Sequence, residues 1–105
     1  MAVQIKDSGI VQTNAKDFPI LAVNVLDRLG YKVDRASKQL DQILATERLD
    51  EQIGQDWWRH EYRVVLRWRV AKSGMLVNIE LEERKGGASE IECQKRCDRI
   101  LLELQ

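Results

Sequence analysis

Between Glu61 and Arg84 the sequence alternates twice. Tyr62, Val64, Leu66, Trp68 and Val70 interleave with Glu61, Arg63, Val65, Arg67 and Arg69. After Lys72-Ser73-Gly74, Met75, Val77, Ile79 and Leu81 interleave with Leu76, Asn78, Glu80 and Glu82. Successive strand side chains point to opposite faces. Period two on both sides of a turn therefore predicts a long antiparallel hairpin with one apolar and one charged face. The apolar face has to be covered, so the rest of the chain is read for what covers it.

Two stretches have helical spacing. Phe18, Leu21, Ala22, Val25, Leu26 and Leu29 follow i, i+3, i+4, i+7. Asp17 or Asn14 can cap this helix, Pro19 fits its first turn, and Gly30 suits the left-handed position that ends it. At the other end Ser89-Glu90-Ile91-Glu92 has the spacing of a capping box. Cys93, Cys97, Ile100, Leu101 and Leu104 then form an apolar stripe, with Lys95, Arg96, Asp98 and Arg99 largely off it. Gly86-Gly87 separates this helix from the hairpin.

Strands fill the remainder. Val3-Gln4-Ile5 and Ile10 to Thr13 are strand-like, with Asp7-Ser8-Gly9 as a turn signal between them, giving one broken strand or a small hairpin. Tyr31 to Ala36 reads as a short strand, Ser37 to Asp41 as a turn, and Gln42 to Arg48 as a further strand. Leu49 to Asp56, with Gly54, reads as a polar loop leading to Trp57-Trp58.

The chain is thus an α+β domain spanning residues 1–105: a single antiparallel sheet of four to five strands with two helices on one face, in the order β-α-β-β-β-β-α. This order resembles the TATA-binding-protein-like and helix-grip folds, in which a curved sheet wraps a long C-terminal helix. The resemblance is one of element order and implies no function.

At 105 residues the chain has the usual size of one domain. It buries roughly 60–65% of its unfolded surface, enough for a core without staples. Formal net charge is zero, which argues against a protein that coats nucleic acid or an anionic membrane by charge alone. The start lacks a basic segment followed by an apolar one. No apolar run approaches the ~20 residues of a membrane span. A cytoplasmic protein without a membrane contact is expected. Cys93 and Cys97, four apart on a helix, are poorly placed for a disulfide and read as buried thiols.

No catalytic, metal or cofactor site is expected. His60 is the only histidine, and with two cysteines it falls short of a zinc set. Gly86-Gly87 lacks the spacing of a phosphate-binding loop. Glu80, Glu82 and Glu83 lie on or beside the charged face, where Arg63, Arg67 and Arg69 share the register. Opposite charges across strands decorate a solvated face, each pair contributing a few tenths to ~1 kcal/mol.

The feature this leaves is Trp57-Trp58-Arg59. Adjacent strand residues point to opposite faces, so one tryptophan is expected to be exposed. Tryptophan and arginine are enriched at binding hot spots. Trp57, Trp58, Arg59, Arg63, Arg67 and Arg69 form the candidate partner-binding surface. The expected function is a non-catalytic adaptor or assembly-type domain that binds another protein. A single-stranded nucleic-acid module using the same basic strand is the alternative. A carrier of a small apolar ligand is the third reading, with a cavity lined by Phe18, Tyr62 and Leu101 as its signature. A free sheet edge would also permit a homodimer.

Overall fold

The computed structural model describes residues 3–37, 42–53, 56–85 and 90–105, with side chains for all of these except 35–37, 44–53, 56–59 and 85. The elements are β1 (Gln4–Val11), α1 (Phe18–Arg28), β2 (Lys32–Ser37), β3 (Gln42–Ile53), β4 (Asp56–Ala71), β5 (Gly74–Lys85) and α2 (Glu90–Leu104). The five strands make one antiparallel sheet in the order β1-β5-β4-β3-β2. β2 to β5 form a meander, and α1 carries the chain from one edge of the sheet to the other. This is the α+β arrangement expected from the element order. The proposed capping box at Ser89, the glycine pair Gly86-Gly87 and most of the turn at Ser37–Asp41 lie outside the described residues.

The central hairpin follows the alternation closely. β4 and β5 pair from Glu61↔Lys85 to Ala71↔Gly74 around Lys72-Ser73. Gly74 takes φ +140, and a Cβ there would lie 2.6 Å from the Val11 carbonyl oxygen. Val64, Leu66, Trp68, Met75, Val77, Ile79 and Leu81 are all buried on the inner face. The helices supply the other half of the core: Phe18, Ala22, Val25 and Leu26 from α1, and Cys93, Cys97, Ile100, Leu101 and Leu104 from α2. Phe18 packs on Trp68 with ring centroids 5.0 Å apart.

Two segments differ from the sequence reading. Gln4–Val11 is one continuous strand: Asp7-Ser8-Gly9 does not turn, because all three residues pair with β5, at Ile79, Asn78 and Val77. Leu49–Ile53 is strand rather than loop, since β3 continues against β4 to Ile53↔Asp56. Its residues pair in register with Asp56–His60, Asp50 opposite Arg59 and Glu51 and Gln52 opposite Trp58 and Trp57, and β-prone aromatic partners favour extension.

Ordinary capping ends α1. Leu29 is the C-cap, Gly30 takes φ 94, and Tyr31 N donates to Leu26 O at 2.9 Å while Gly30 N donates to Asp27 O at 3.1 Å. These two bonds make a Schellman motif. At the other end Asp17 is the N-cap residue without a side-chain capping bond. Asn14 Oδ1 instead accepts from Lys16 N and Asp17 N and shapes the turn before the helix.

Candidate functional site

The two faces of the sheet differ in what they can bind. On the outer face, Arg63 stands opposite Glu82 and Arg67 opposite Asn78. Arg67 Nη1 lies 3.4 Å from Glu80 Oε1, and Lys6 Nζ lies 3.8 Å from the same oxygen. Arg69 is exposed. A shallow depression of about 200 Å³, lined by Gln4, Gln42, Arg63, Arg67, Glu80 and Glu82, occupies this face. The predicted arginines are therefore arrayed among carboxylates rather than as a uniform cationic patch.

Lengths decide what lies beyond the helix. The 16 residues of β4 at about 3.3 Å each span roughly 53 Å, matching the 51 Å long axis of the molecule. The 15 residues of α2 at about 1.5 Å each span roughly 22 Å. One end of α2 meets Gly9 and Ile10: a Cβ on Gly9 would lie 3.5 Å from Leu101, and Gln105 Nε2 donates to Ile10 O at 3.4 Å. The other end meets Tyr62 and Glu83: Arg96 stacks on the Tyr62 ring, and the Glu83 charge acts on Cys93. β4 residues 56–61 thus run roughly 20 Å past the level at which Tyr62 meets Arg96, and so beyond the first turns of α2. Trp57, Trp58 and Arg59 fall in this overhang, opposite Gln52, Glu51 and Asp50 of β3. Their side chains lie outside the described ones.

At the base of the overhang the concave side turns polar. The Schellman turn delivers Tyr31 into the core, 3% exposed, and its hydroxyl accepts from Arg96 Nη1 at 3.2 Å. The Arg96 guanidinium carbon lies 3.9 Å from the Tyr62 ring centroid, a cation–π contact. Arg96 Nε lies 3.7 Å from Glu92 Oε1, one turn back along α2. Burial pushes the Tyr62 phenol up, with Arg96 opposing. Burial also pushes the Cys93 thiol up, helped by Glu83. Cys97, one turn deeper, is pushed up to about 12 by burial above all.

Three of these placements correct the sequence reading. Glu83 is buried at 4% exposure, not on the charged face, because it continues the inner row of Met75 to Leu81 opposite Tyr62. Glu61 is also buried, at 8%, beside the register shift at Glu61/Tyr62. Arg96 is half-buried rather than off the stripe, since it flanks Cys93 and Ile100 and turns inward between two tyrosines. The signal was present in the spacing: Arg96 lies three residues after Cys93 and four before Ile100.

Beside this cluster, Leu29, Tyr31, Arg96, Arg99 and Ile100 line a small, open recess of about 80 Å³. The opposite end of the concave side is filled. Phe18, Tyr62 and Leu101, named as the lining that would mark a ligand carrier, are all buried in the core. His60 is half-buried in the overhang. Among the described residues no group of three or more His, Cys, Asp or Glu side chains is placed to hold a metal ion. Among them, too, no helix is long and apolar enough to cross a membrane.

No protein-family profile matches this sequence. No curated protein matches it either. Solved structures do match. Protein CV1439 from Chromobacterium violaceum aligns over 96% of this chain and 93% of its own length, with a TM-score of 0.52 and 11% identity. Ara h 8.0201 aligns over 99% of this chain and 95% of its own, with a TM-score of 0.54 and 5% identity. At such identity the likeness is one of fold, and the fold is the helix grip.

Proposed function

We propose that this chain is a non-catalytic carrier that holds a small amphiphilic ligand on the concave side of its sheet, at the open end of the grip. One observation carries the reading. The concave side is apolar from Trp68 to Leu81 and then becomes polar toward the N-terminal part of α2, at Tyr31, Tyr62, Glu83 and Arg96. Burying carboxylates and a guanidinium where apolar side chains would pack as well does little for stability. A few convergent polar groups beside an apolar wall are what orient a ligand. The closed end has no part in this, being filled by Phe18 against Trp68.

A titration with the neutral fluorophore N-phenyl-1-naphthylamine tests the reading. Saturable binding at one site per chain is expected, with amide shifts at Tyr62, Glu83, Cys93 and Arg96 in a nitrogen-15 spectrum. Shifts confined to Arg63, Arg67 and Glu80, or no saturation, would sink the carrier reading.

The second reading is a protein-binding adaptor, favoured by the register that puts Trp57, Trp58 and Arg59 in the overhang. The tryptophans would supply anchor area and Arg59 orientation toward an acidic partner. Trp57→Ala and Trp58→Ala, made singly, distinguish the two. Loss of a purified protein partner with naphthylamine binding intact supports the adaptor; the reverse pattern supports the carrier.

A further inference from the structure

The sheet has two edges, β1 and β2. α2 lies close over β1, where a Cβ on Gly9 would touch Leu101 and Gln105 at 3.5 Å. β2 has an open groove beside it instead. The groove, about 470 Å³, runs between α1 and the start of β2, with Val23, Asn24 and Asp27 on the helix side and Lys32 and Val33 on the strand side. Val23 and Val33 are half-buried against the core and give it an apolar floor. Among the described residues no backbone hydrogen bond is made on the free side of β2. Among them, too, nothing pairs with the exposed Asp27 carboxylate or the exposed Lys32 ammonium. Asp27 stands in the last turn of α1, where the helix dipole disfavours an anion. Arg28, the basic residue of that turn, is turned away to Glu103 at 3.2 Å.

We propose that β2 accepts a short extended segment of another protein as a sixth strand, its inward side chains lying in the groove beside α1. Free main-chain groups on an edge strand supply affinity, and the neighbouring groove reads alternate side chains. The sheet is antiparallel throughout, so the segment runs antiparallel to β2 and in the direction of α1. Val23 and Asp27 are four residues apart on the helix, a rise of about 6 Å. Alternate residues of a strand are about 6.8 Å apart, so one inward side chain comes level with Val23 and the next with Asp27. The first is apolar and lies on Val23 and Val33. The second is lysine or arginine and answers Asp27. The residue between them faces outward beside Lys32, because Lys32 pairs with Thr46 and Thr46 with Arg63 on the outer face. A carboxylate suits that position. The partner motif is thus valine-glutamate-lysine in type and in that order. The register shift between Val33 and Arg35 keeps the regular pairing, and so the motif, short.

The test is a nitrogen-15 titration with the peptide acetyl-Thr-Val-Glu-Lys-Thr-amide, beside its reversal acetyl-Thr-Lys-Glu-Val-Thr-amide. The first is expected to shift the amides of Lys32, Val33, Asn24 and Asp27 saturably, and the reversal to bind more weakly. Successive N–H groups of a strand point to opposite sides, so methylating one peptide nitrogen should abolish binding and methylating the next should not. Asp27→Asn should weaken the peptide about threefold, the size of one exposed ion pair. Asp27→Lys should exchange the preference, so that a glutamate in place of the peptide lysine binds more tightly. Both variants keep the fold, because Asp27 is exposed and the last turn of a helix favours a cation over an anion. The absence of saturable shifts along β2 overturns the proposal, as does equal or tighter binding of the reversal. An unchanged preference in Asp27→Lys overturns it too. Shifts along β2 on diluting the protein alone would assign the edge to a second copy of this chain and remove the peptide.

Discussion

Arg96 and Tyr31 are the pair on which the concave site is built, and a double-mutant cycle weighs them. Arg96→Met keeps most of the stem and removes the guanidinium. Among its contacts, three go with it. The hydrogen bond to the Tyr31 hydroxyl at 3.2 Å contributes about 1 kcal/mol net. The stack on Tyr62 at 3.9 Å contributes about 1 kcal/mol for a half-buried cation. The Glu92 contact at 3.7 Å, with Glu92 half exposed, contributes a few tenths of a kcal/mol at most. Arg96→Met is thus expected to destabilise by about 2 kcal/mol, equivalent to about 8–16 °C in Tm for a domain of this size. Tyr31→Phe removes one hydroxyl and should cost about 1 kcal/mol. The two losses should not add: a coupling of about 1 kcal/mol is expected from urea titrations followed by tryptophan fluorescence. A coupling below about 0.3 kcal/mol would refute the claim that Tyr31 holds Arg96.

Two further perturbations test the frame around the site. Gly74→Ala forces φ +140 on an L-residue and sets its Cβ 2.6 Å from Val11 O, so a loss of about 2–3 kcal/mol is expected in the same titration; an unchanged midpoint would refute the geometry of this turn. Because the folded state holds the Cys97 proton up to about 12, its contribution to stability is complete below the ordinary thiol value of 9.0 and is lost as pH rises from there toward about 12, at about 1.4 kcal/mol per pH unit. Cys97→Ala should flatten that alkaline limb, leaving the losses from Cys93 above its ordinary 9.0 and from Tyr62 above its ordinary 10.0, and an equally steep limb in the variant would refute the assignment.

Much of the frame could be read from local pattern. Alternation in Tyr62–Val70 and Met75–Leu81 depends only on which face is buried, and one face of that hairpin is buried. The helical stripe of Cys93, Cys97, Ile100, Leu101 and Leu104 is read correctly for the same reason. Leu49–Ile53 is misread because its polarity signals a loop when taken alone, whereas its pairing with Asp56–His60 depends on a strand that comes later in the chain. The site is harder to see. Tyr31, Tyr62, Glu83 and Arg96 come from a turn, two strands and a helix, and periodicity is blind to what meets across elements. Glu83 lies on the correct face by a count of two from Leu81, yet its charge argues for the other. A carboxylate that obeys the apolar parity is itself a signal of an internal polar site.

The outer face and the concave mouth can be compared by what a ligand would have to displace. On the outer face Arg67 and Lys6 share Glu80, and Arg63 stands opposite Glu82. A nucleic-acid backbone arriving there would exchange existing carboxylate contacts for phosphate contacts and bring its own charge against Glu80 and Glu82. Affinity from counterion release needs cations in excess, and a chain with 17 basic and 17 acidic residues has no general excess to draw on. The mouth differs in kind. Tyr31, Tyr62, Glu83 and Arg96 bring polar groups together there, and Leu29 and Ile100 are at hand for an apolar group. Tyr31, Tyr62 and Glu83 are buried there, so their polar contacts count for more than those on an open strand. An amphiphilic ligand of the proposed kind meets both the polar groups and the apolar walls there, which a phosphate backbone on the outer face does not do.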